Sequence, residues 1–175
     1  MILSNIFKYI SIDIKNNDGD TALIHATANG HKDIVKTLLE NKANINAKNN
    51  DGNTALILAS INRHIDIVKT LLENNANTNA KGNYGYTALI GASLYGYKEI
   101  VKLLLKFKAD IDAKNSNGNT SLMYASRDGR TEIVKLLLKF KANSNVKNND
   151  GYTALTLASI NGYTDIVKIL LKNKA

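Results

Sequence analysis

Three kinds of side chain in this sequence combine a reactive type with a regular spacing: histidines, carboxylates and lysines. His31 and His64 lie 33 residues apart and could begin a metal site, with His25 as the remaining imidazole. Their column continues as Tyr97, Arg130 and Tyr163, a change of type that no metal site follows. Packed helices would hold His31 and His64 about 8–10 Å apart, and no third ligand stands nearby. All three are read as packing or capping residues. Asp33, Asp66, Glu99, Glu132 and Asp165 could supply paired carboxylates for proton transfer. Each instead stands three residues ahead of Lys36, Lys69, Lys102, Lys135 or Lys168, the spacing of an ion pair along one helix. The same acids fall in a first helical turn, where negative charge is favoured. Ser60, Ser93, Ser126 and Ser159 have no histidine or acid at matching spacing, and no glycine-rich loop runs into Lys-Ser or Lys-Thr. The absence of cysteine excludes a disulfide scaffold, a zinc-finger set and a thiolate nucleophile. These patterns point to no catalytic residue, no cofactor and no metal.

The lysines ask for a different chemistry. Lys15, Lys48, Lys81, Lys114 and Lys147 form a ladder, thickened by Lys106, Lys108, Lys139 and Lys141. The net charge of +8 would speed encounter with acidic partners or anionic headgroups, and a basic stripe could follow a phosphate backbone. Arginine is scarce, however, with Arg63, Arg127 and Arg130 alone, so the groups that stack on or read bases are thin. The ladder is therefore read first as a solubilising surface. An acidic protein, a nucleic acid or an anionic membrane stand as alternatives. The abundance of Asn and Lys and the lack of Pro are read as compositional bias.

All these columns share one period. Gly19, Gly52, Gly85, Gly118 and Gly151 recur every 33 residues, as do the Thr column from Thr21 to Thr153, the Leu column from Leu23 to Leu155 and the Ala column from Ala26 to Ala158. Ile34-Val35-Lys36 returns at 67, 100, 133 and 166, each time followed by paired leucines. Such a step is the mark of a stacked repeat protein. Each unit reads as turn, helix, bend, helix and loop. Thr21 and its equivalents cap the first helix, and Gly30, Gly96, Gly129 and Gly162 permit the bend. Ile34, Val35, Leu38 and Leu39 give the second helix an apolar stripe. Helices of about ten residues fall below the ~12–15 at which isolated helices become marginal, so each must be buried against its neighbours.

These units resemble ankyrin repeats, on Thr21-Ala-Leu-Ile, Gly30-His31, Asp33-Ile34-Val35-Lys36 and Ala43-Asn44-Ile45-Asn46. The resemblance implies an all-α repeat solenoid of helix-turn-helix units with protruding β-turn/hairpin loops. The units span 17–49, 50–82, 83–115, 116–148 and a truncated 149–175, after a partial N-terminal repeat or cap at 1–16. The chain departs from the family pattern at three columns. Proline after the Thr is replaced by Ala or Ser, and the histidine of that turn by Ile24, Ile57, Ile90, Met123 and Thr156. The loop glycine becomes Lys42, Asn75, Lys108, Lys141 and Lys174, at about 1 kcal/mol each if the left-handed geometry is kept. Arg63 replaces the bend glycine, so the second unit is expected to be distorted or strained there. The fifth unit stops at Ala175 before its closing loop, either as a short natural end or as a fragment of a longer array.

The resemblance further implies a non-enzymatic scaffold, whose partner meets the loop tips and the exposed side of the first helices along a concave groove. Positions that vary while the scaffold repeats give the candidate contact set: Ile61, Tyr84, Tyr86, Leu94, Tyr95, Arg127, Tyr152 and Ile160. The third unit gathers most of them, and tyrosine offers much contact area at little rotamer entropy. The expected partner is a protein or an extended peptide, bound by a monomer. A structural spacer is the competing reading. No signal peptide is legible and no apolar run approaches ~20 residues, so a cytoplasmic location is the default, with secretion by a signal-less route as the other course.

Overall fold

The threonine column starts every first helix. Thr21, Thr54, Thr87, Thr120 and Thr153 sit in extended backbone, and each Oγ1 accepts the N–H three residues on. A cap of this kind contributes about 1 kcal/mol. In the computed structural model, which describes residues 11–173, five helix pairs follow: α1 (Ala22–Ala28) with α2 (Lys32–Glu40), α3 (Ala55–Ile61) with α4 (Ile65–Glu73), α5 (Ala88–Tyr95) with α6 (Lys98–Lys106), α7 (Ser121–Arg127) with α8 (Thr131–Lys139), and α9 (Ala154–Ile160) with α10 (Thr164–Lys172). The first ten residues of the expected N-terminal cap, the Lys174 position and the end at Ala175 lie outside the described residues.

The core is one continuous seam. Leu56, Leu89 and Leu122 from the first helices meet Ile67, Ile100 and Ile133 from the second, all essentially inaccessible to water. The small side chains of Ala59, Ala92, Ala125 and Ala158 are fully buried, which lets consecutive first helices pack closely. First helices contact one another more extensively than second helices do, which curves the stack toward the first-helix side. The apolar stripe is buried through the middle units, while Ile34 and Leu171 at its two ends are exposed.

Each bend carries a left-handed residue: Gly30, Gly96, Gly129 and Gly162, with φ between 71° and 83°. Arg63 takes the same conformation at φ 63°, so the second unit keeps its bend and holds strain in that dihedral. The bare glycine face is filled from the next unit. A Cβ on Gly30 would meet the His64 ring at 2.8 Å, one on Gly96 the Arg130 side chain at 3.2 Å, and one on Gly129 the Tyr163 ring at 2.5 Å. At the second bend the Arg63 guanidinium instead lies 5.7 Å from the Tyr97 ring centroid, a cation–π contact. After the second helices, Lys42, Asn75, Lys108 and Lys141 hold φ between 60° and 68°.

The protruding β-turn/hairpin loops expected from the resemblance are not formed, and no β-strand occurs among the described residues. A hairpin needs a ladder of paired residues. Here each tip is closed by two backbone bonds and no ladder, as from Asn49 N–H to Asn53 O (3.0 Å) and from Gly52 N–H back to Asn49 O (2.9 Å). Asn16, Asn115 and Asn148 then turn the chain by accepting, at Oδ1, the N–H groups two and four residues on, and Asn49 does so from Asn53. At four of the five tips asparagine side chains thus do what paired strands would do in a hairpin.

Asparagine and lysine also join unit to unit. Asp13, Asn46, Asn79 and Asp112 each accept, at Oδ1, the backbone N–H 31 residues on, at 2.8–2.9 Å. Lys15, Lys48, Lys81 and Lys114 each donate Nζ to the carbonyl of the next ladder lysine, at 2.7–3.0 Å. The composition read as bias therefore has a structural use, and four ladder ammoniums bridge neighbouring units. The acid–lysine pairs expected within each second helix are largely replaced by pairs across units. Only Glu132–Lys135 forms at that spacing (2.8 Å), while Lys32–Asp66 and Lys98–Glu132 (both 3.2 Å) cross between units. The two lysines, Lys135 foremost, hold the Glu132 carboxyl below its ordinary pKa. Exposed pairs of this kind contribute little to stability.

Lys108→Gly and Lys141→Gly should each raise the unfolding free energy by about 1 kcal/mol, because only the non-glycine residue is strained at positive φ. Urea unfolding checks this. Stability unchanged or lowered in both variants would show that the lysines recover the strain through the helix ends beside them.

Candidate partner-binding site

The third tip, at the seam of the second and third units, breaks the pattern at two positions. Where other tips have the turning asparagine, this one has Gly82, which has no carboxamide to offer. Where others have Asp18, Asp51, Asn117 or Asp150, it has Tyr84, held left-handed at φ 50°, ψ 24° in a short 3-10 turn over Asn83–Gly85. A non-glycine residue in that region stores strain, and such strain gathers at functional sites.

The bonds between adjacent tips change accordingly. Asn50 N–H donates to Asp18 O (3.0 Å), Ser116 N–H to Tyr84 O (2.9 Å) and Asn149 N–H to Asn117 O (3.1 Å). The equivalent bond from Asn83 N–H to Asp51 O is missing. Side-chain bonds that join other tips, such as Asn50 Nδ2 to Asn17 O and Asn49 Nδ2 to Asp20 Oδ1 (both 2.9 Å), also have no counterpart between tips two and three. The spacing is looser as well. A Cβ on Gly52 would lie 3.9 Å from Asn83 N, against 2.7 Å from Gly19 to Asn50 N and 2.9 Å from Gly118 to Asn149 N.

Beneath this seam a second column is interrupted. His25, Leu58, Tyr124 and Leu157 fill the position that Gly91 leaves bare on α5. Ile61 of α3 leans into the space, since a Cβ on Gly91 would meet its Cγ2 at 2.6 Å. The outcome is a cleft of about 260 Å³. Asn53, Ile57 and Ile61 form one wall, while Asn83, Tyr84, Tyr86, Gly91, Leu94 and Tyr95 form the other. No lining residue is charged.

Five of the eight candidate contact residues, Ile61, Tyr84, Tyr86, Leu94 and Tyr95, are thus brought together. Tyr84 is 72% and Tyr95 52% exposed, large values for aromatic side chains. The Tyr95 ring stacks on Tyr97 at 6.0 Å, next to the Arg63 contact. The other three candidates lie elsewhere. Arg127 does not line the cleft, and its guanidinium forks onto Asp128 (2.7 and 3.1 Å) with its carbon 4.8 Å from the Tyr124 ring centroid. Tyr152 and Ile160 are exposed on the fifth unit, 43% and 65% respectively, away from the cleft lining.

Tyr86 is held from behind by a residue that sequence reasoning passed over. Its hydroxyl meets that of the buried Tyr124 at 2.5 Å, and Tyr124 OH also accepts from Asn115 Nδ2 (2.8 Å). The two rings lie 5.6 Å apart at 41°. Burial, followed by the Tyr124 hydrogen bond, pushes the Tyr86 phenol from its ordinary 10 up to about 12. Gly91, Asn53, Ile57 and Asn83 were also passed over. Their signal was present as glycine at 82 and 91 in columns that are otherwise polar or bulky.

Among the described residues, no group of three or more His, Cys, Asp or Glu side chains could hold a metal. His64 Nε2 lies 3.2 Å from Ala28 O, and its ring covers Gly30. A larger depression of about 400 Å³, lined at the bends by Gly30, Lys32, Arg63 and His64, includes both partners of the Lys32–Asp66 ion pair. No described helix is long and apolar enough to cross a membrane.

The family model for ankyrin repeats matches in three overlapping segments, residues 2–82, 49–115 and 89–175. No curated protein matches the chain.

Alkaline absorbance titration should resolve a tyrosine that ionises near pH 12 and is missing from Tyr86→Phe. Because the fold favours the neutral phenol, its stabilisation is complete below pH 10 and is lost as pH rises toward 12. A titration curve identical in the variant would place the shifted group elsewhere.

Proposed function

Because the chain belongs to the ankyrin-repeat family, we propose that it is a protein-binding scaffold whose partner docks on the first-helix side, at the seam of the second and third units. Ankyrin repeats are a non-enzymatic, protein-binding family. The observation that carries the location is the uncharged cleft with the exposed Tyr84 and Tyr95 at its rim. Large aromatic groups beside a preformed pocket are the usual anchors of an interface, since they bury much area and lose few rotamers. Tyr152 and Ile160 extend the same side of the stack and are available to a longer partner. A nucleic acid or anionic membrane finds less support, because four ladder ammoniums already donate to backbone carbonyls.

Affinity capture with the whole chain as bait, followed by a direct binding measurement, tests this reading. The double variant Tyr84→Ser, Tyr95→Ser should bind the captured protein at least tenfold more weakly, a loss of about 1.4 kcal/mol. Tyr86 is left in place because its hydroxyl holds Tyr124. Lys102→Ser, exposed on α6, serves as the control and should bind normally. Equal affinity in the double variant and the control would remove the partner from this surface.

A further inference from the structure

The overall charge of +8 suggests an acidic partner, yet the cleft is neutral throughout. Its lining is apolar at Ile57 and Ile61 on one wall and Leu94 on the other, with Ile61 packed over the buried Gly91. Its rim carries the Asn53 and Asn83 carboxamides, neither of which has a side-chain hydrogen-bond partner in the protein. In other tips the equivalent side chains are engaged: Asp20 accepts from Asn49, Asn119 accepts from Asn148, and Asn50 and Asn149 donate to carbonyls. Two free carboxamides offer donors and acceptors together. That set matches a peptide group, which needs both, better than a carboxylate or an ammonium, which each use one kind. The volume of about 260 Å³ lies below the ~300–1,000 Å³ of small-molecule sites, a size for one inserted side chain with its flanking amides.

Resting on the scaffold reading above, we propose that the seam of the second and third units recognises an extended peptide segment of the partner, with one uncharged apolar side chain seated between Ile61 and Leu94 and its flanking amides bonded by Asn53 and Asn83. The seam reads this residue through shape and amide hydrogen bonds. The basic charge of the chain adds encounter rate and no specificity at this point.

A random dodecamer peptide library selected on the whole chain, with the strongest binders then synthesised, tests the proposal. The expected peptides share an apolar residue with uncharged neighbours, and their affinity changes less than about twofold from about 50 to about 500 mM salt. Gly91→Leu should weaken them at least tenfold by driving the Ile61 side chain out into the cleft. The column already holds leucine at Leu58 and Leu157, and Ile61 must turn aside to admit it. Should that variant fail to fold, methyl chemical-shift mapping on the unaltered chain replaces it, with shifts at Ile57, Ile61 and Leu94 expected. Acidic peptides with steep salt dependence, binders indifferent to Gly91→Leu, or shifts confined to other methyls would overturn the proposed seat while leaving a protein-binding scaffold. A library that yields no binder would overturn the extended-peptide reading, while the scaffold reading falls only if the captured protein also binds the Tyr84→Ser, Tyr95→Ser variant normally.

Discussion

A helix of seven residues such as Ser121–Arg127 lies far below the ~12–15 at which an isolated helix becomes marginal in water. Every unit of this protein is therefore held by its neighbours, and the surfaces between units decide both stability and shape. Two layers do the holding. Buried Leu, Ile and Ala side chains supply most of the free energy, at roughly 25 cal/mol per Å² removed from water. The polar layer at the loop edge sets the step, because an Asn or Asp Oδ1 and a lysine Nζ each reach a specific backbone group one unit on.

A regular frame of this kind makes its own interruptions meaningful. Gly82, Tyr84 and Gly91 lie close together at the seam of the second and third units, and each replaces a residue type that the other units have. The absence of a side chain at Gly82 and the missing bond at Asn83 loosen the tips, while Gly91 lets Ile61 lean across the helix row beneath. The helices below remain packed as closely as elsewhere. The cleft is thus a local opening in an otherwise closely packed stack, the condition under which a partner's side chain can be received with little reordering of the host.

The fold was legible because the 33-residue step is repeated without a gap and each column carries one physical requirement. The threonine caps, the left-handed bend positions and the Ile-Val and Leu-Leu stripe can all be read from residue type alone. The loops were not legible in the same way. A resemblance suggested hairpins, yet Asn16, Asn49, Asn115 and Asn148 close the tips through side chains, a competition between carboxamide and backbone that spacing does not decide. Within the site, exposed tyrosines could be picked out as columns that vary. Tyr124 could not, because its importance lies in a hydroxyl contact across two units. The pairing of Lys32 with Asp66, in place of Asp33 with Lys36, likewise depends on how far one helix sits from the next.

The central claim, that the polar frame is interrupted between the second and third tips and that the site occupies the interruption, is tested most directly by residue-resolved amide hydrogen exchange. Asn50, Ser116 and Asn149 N–H groups each bond to the preceding tip, whereas Asn83 N–H has no acceptor in the protein. Asn83 should therefore exchange at close to the unprotected rate while the other three are slowed together. Protection of Asn83 equal to that of its three equivalents would contradict the account, because the seam would then be closed like the rest.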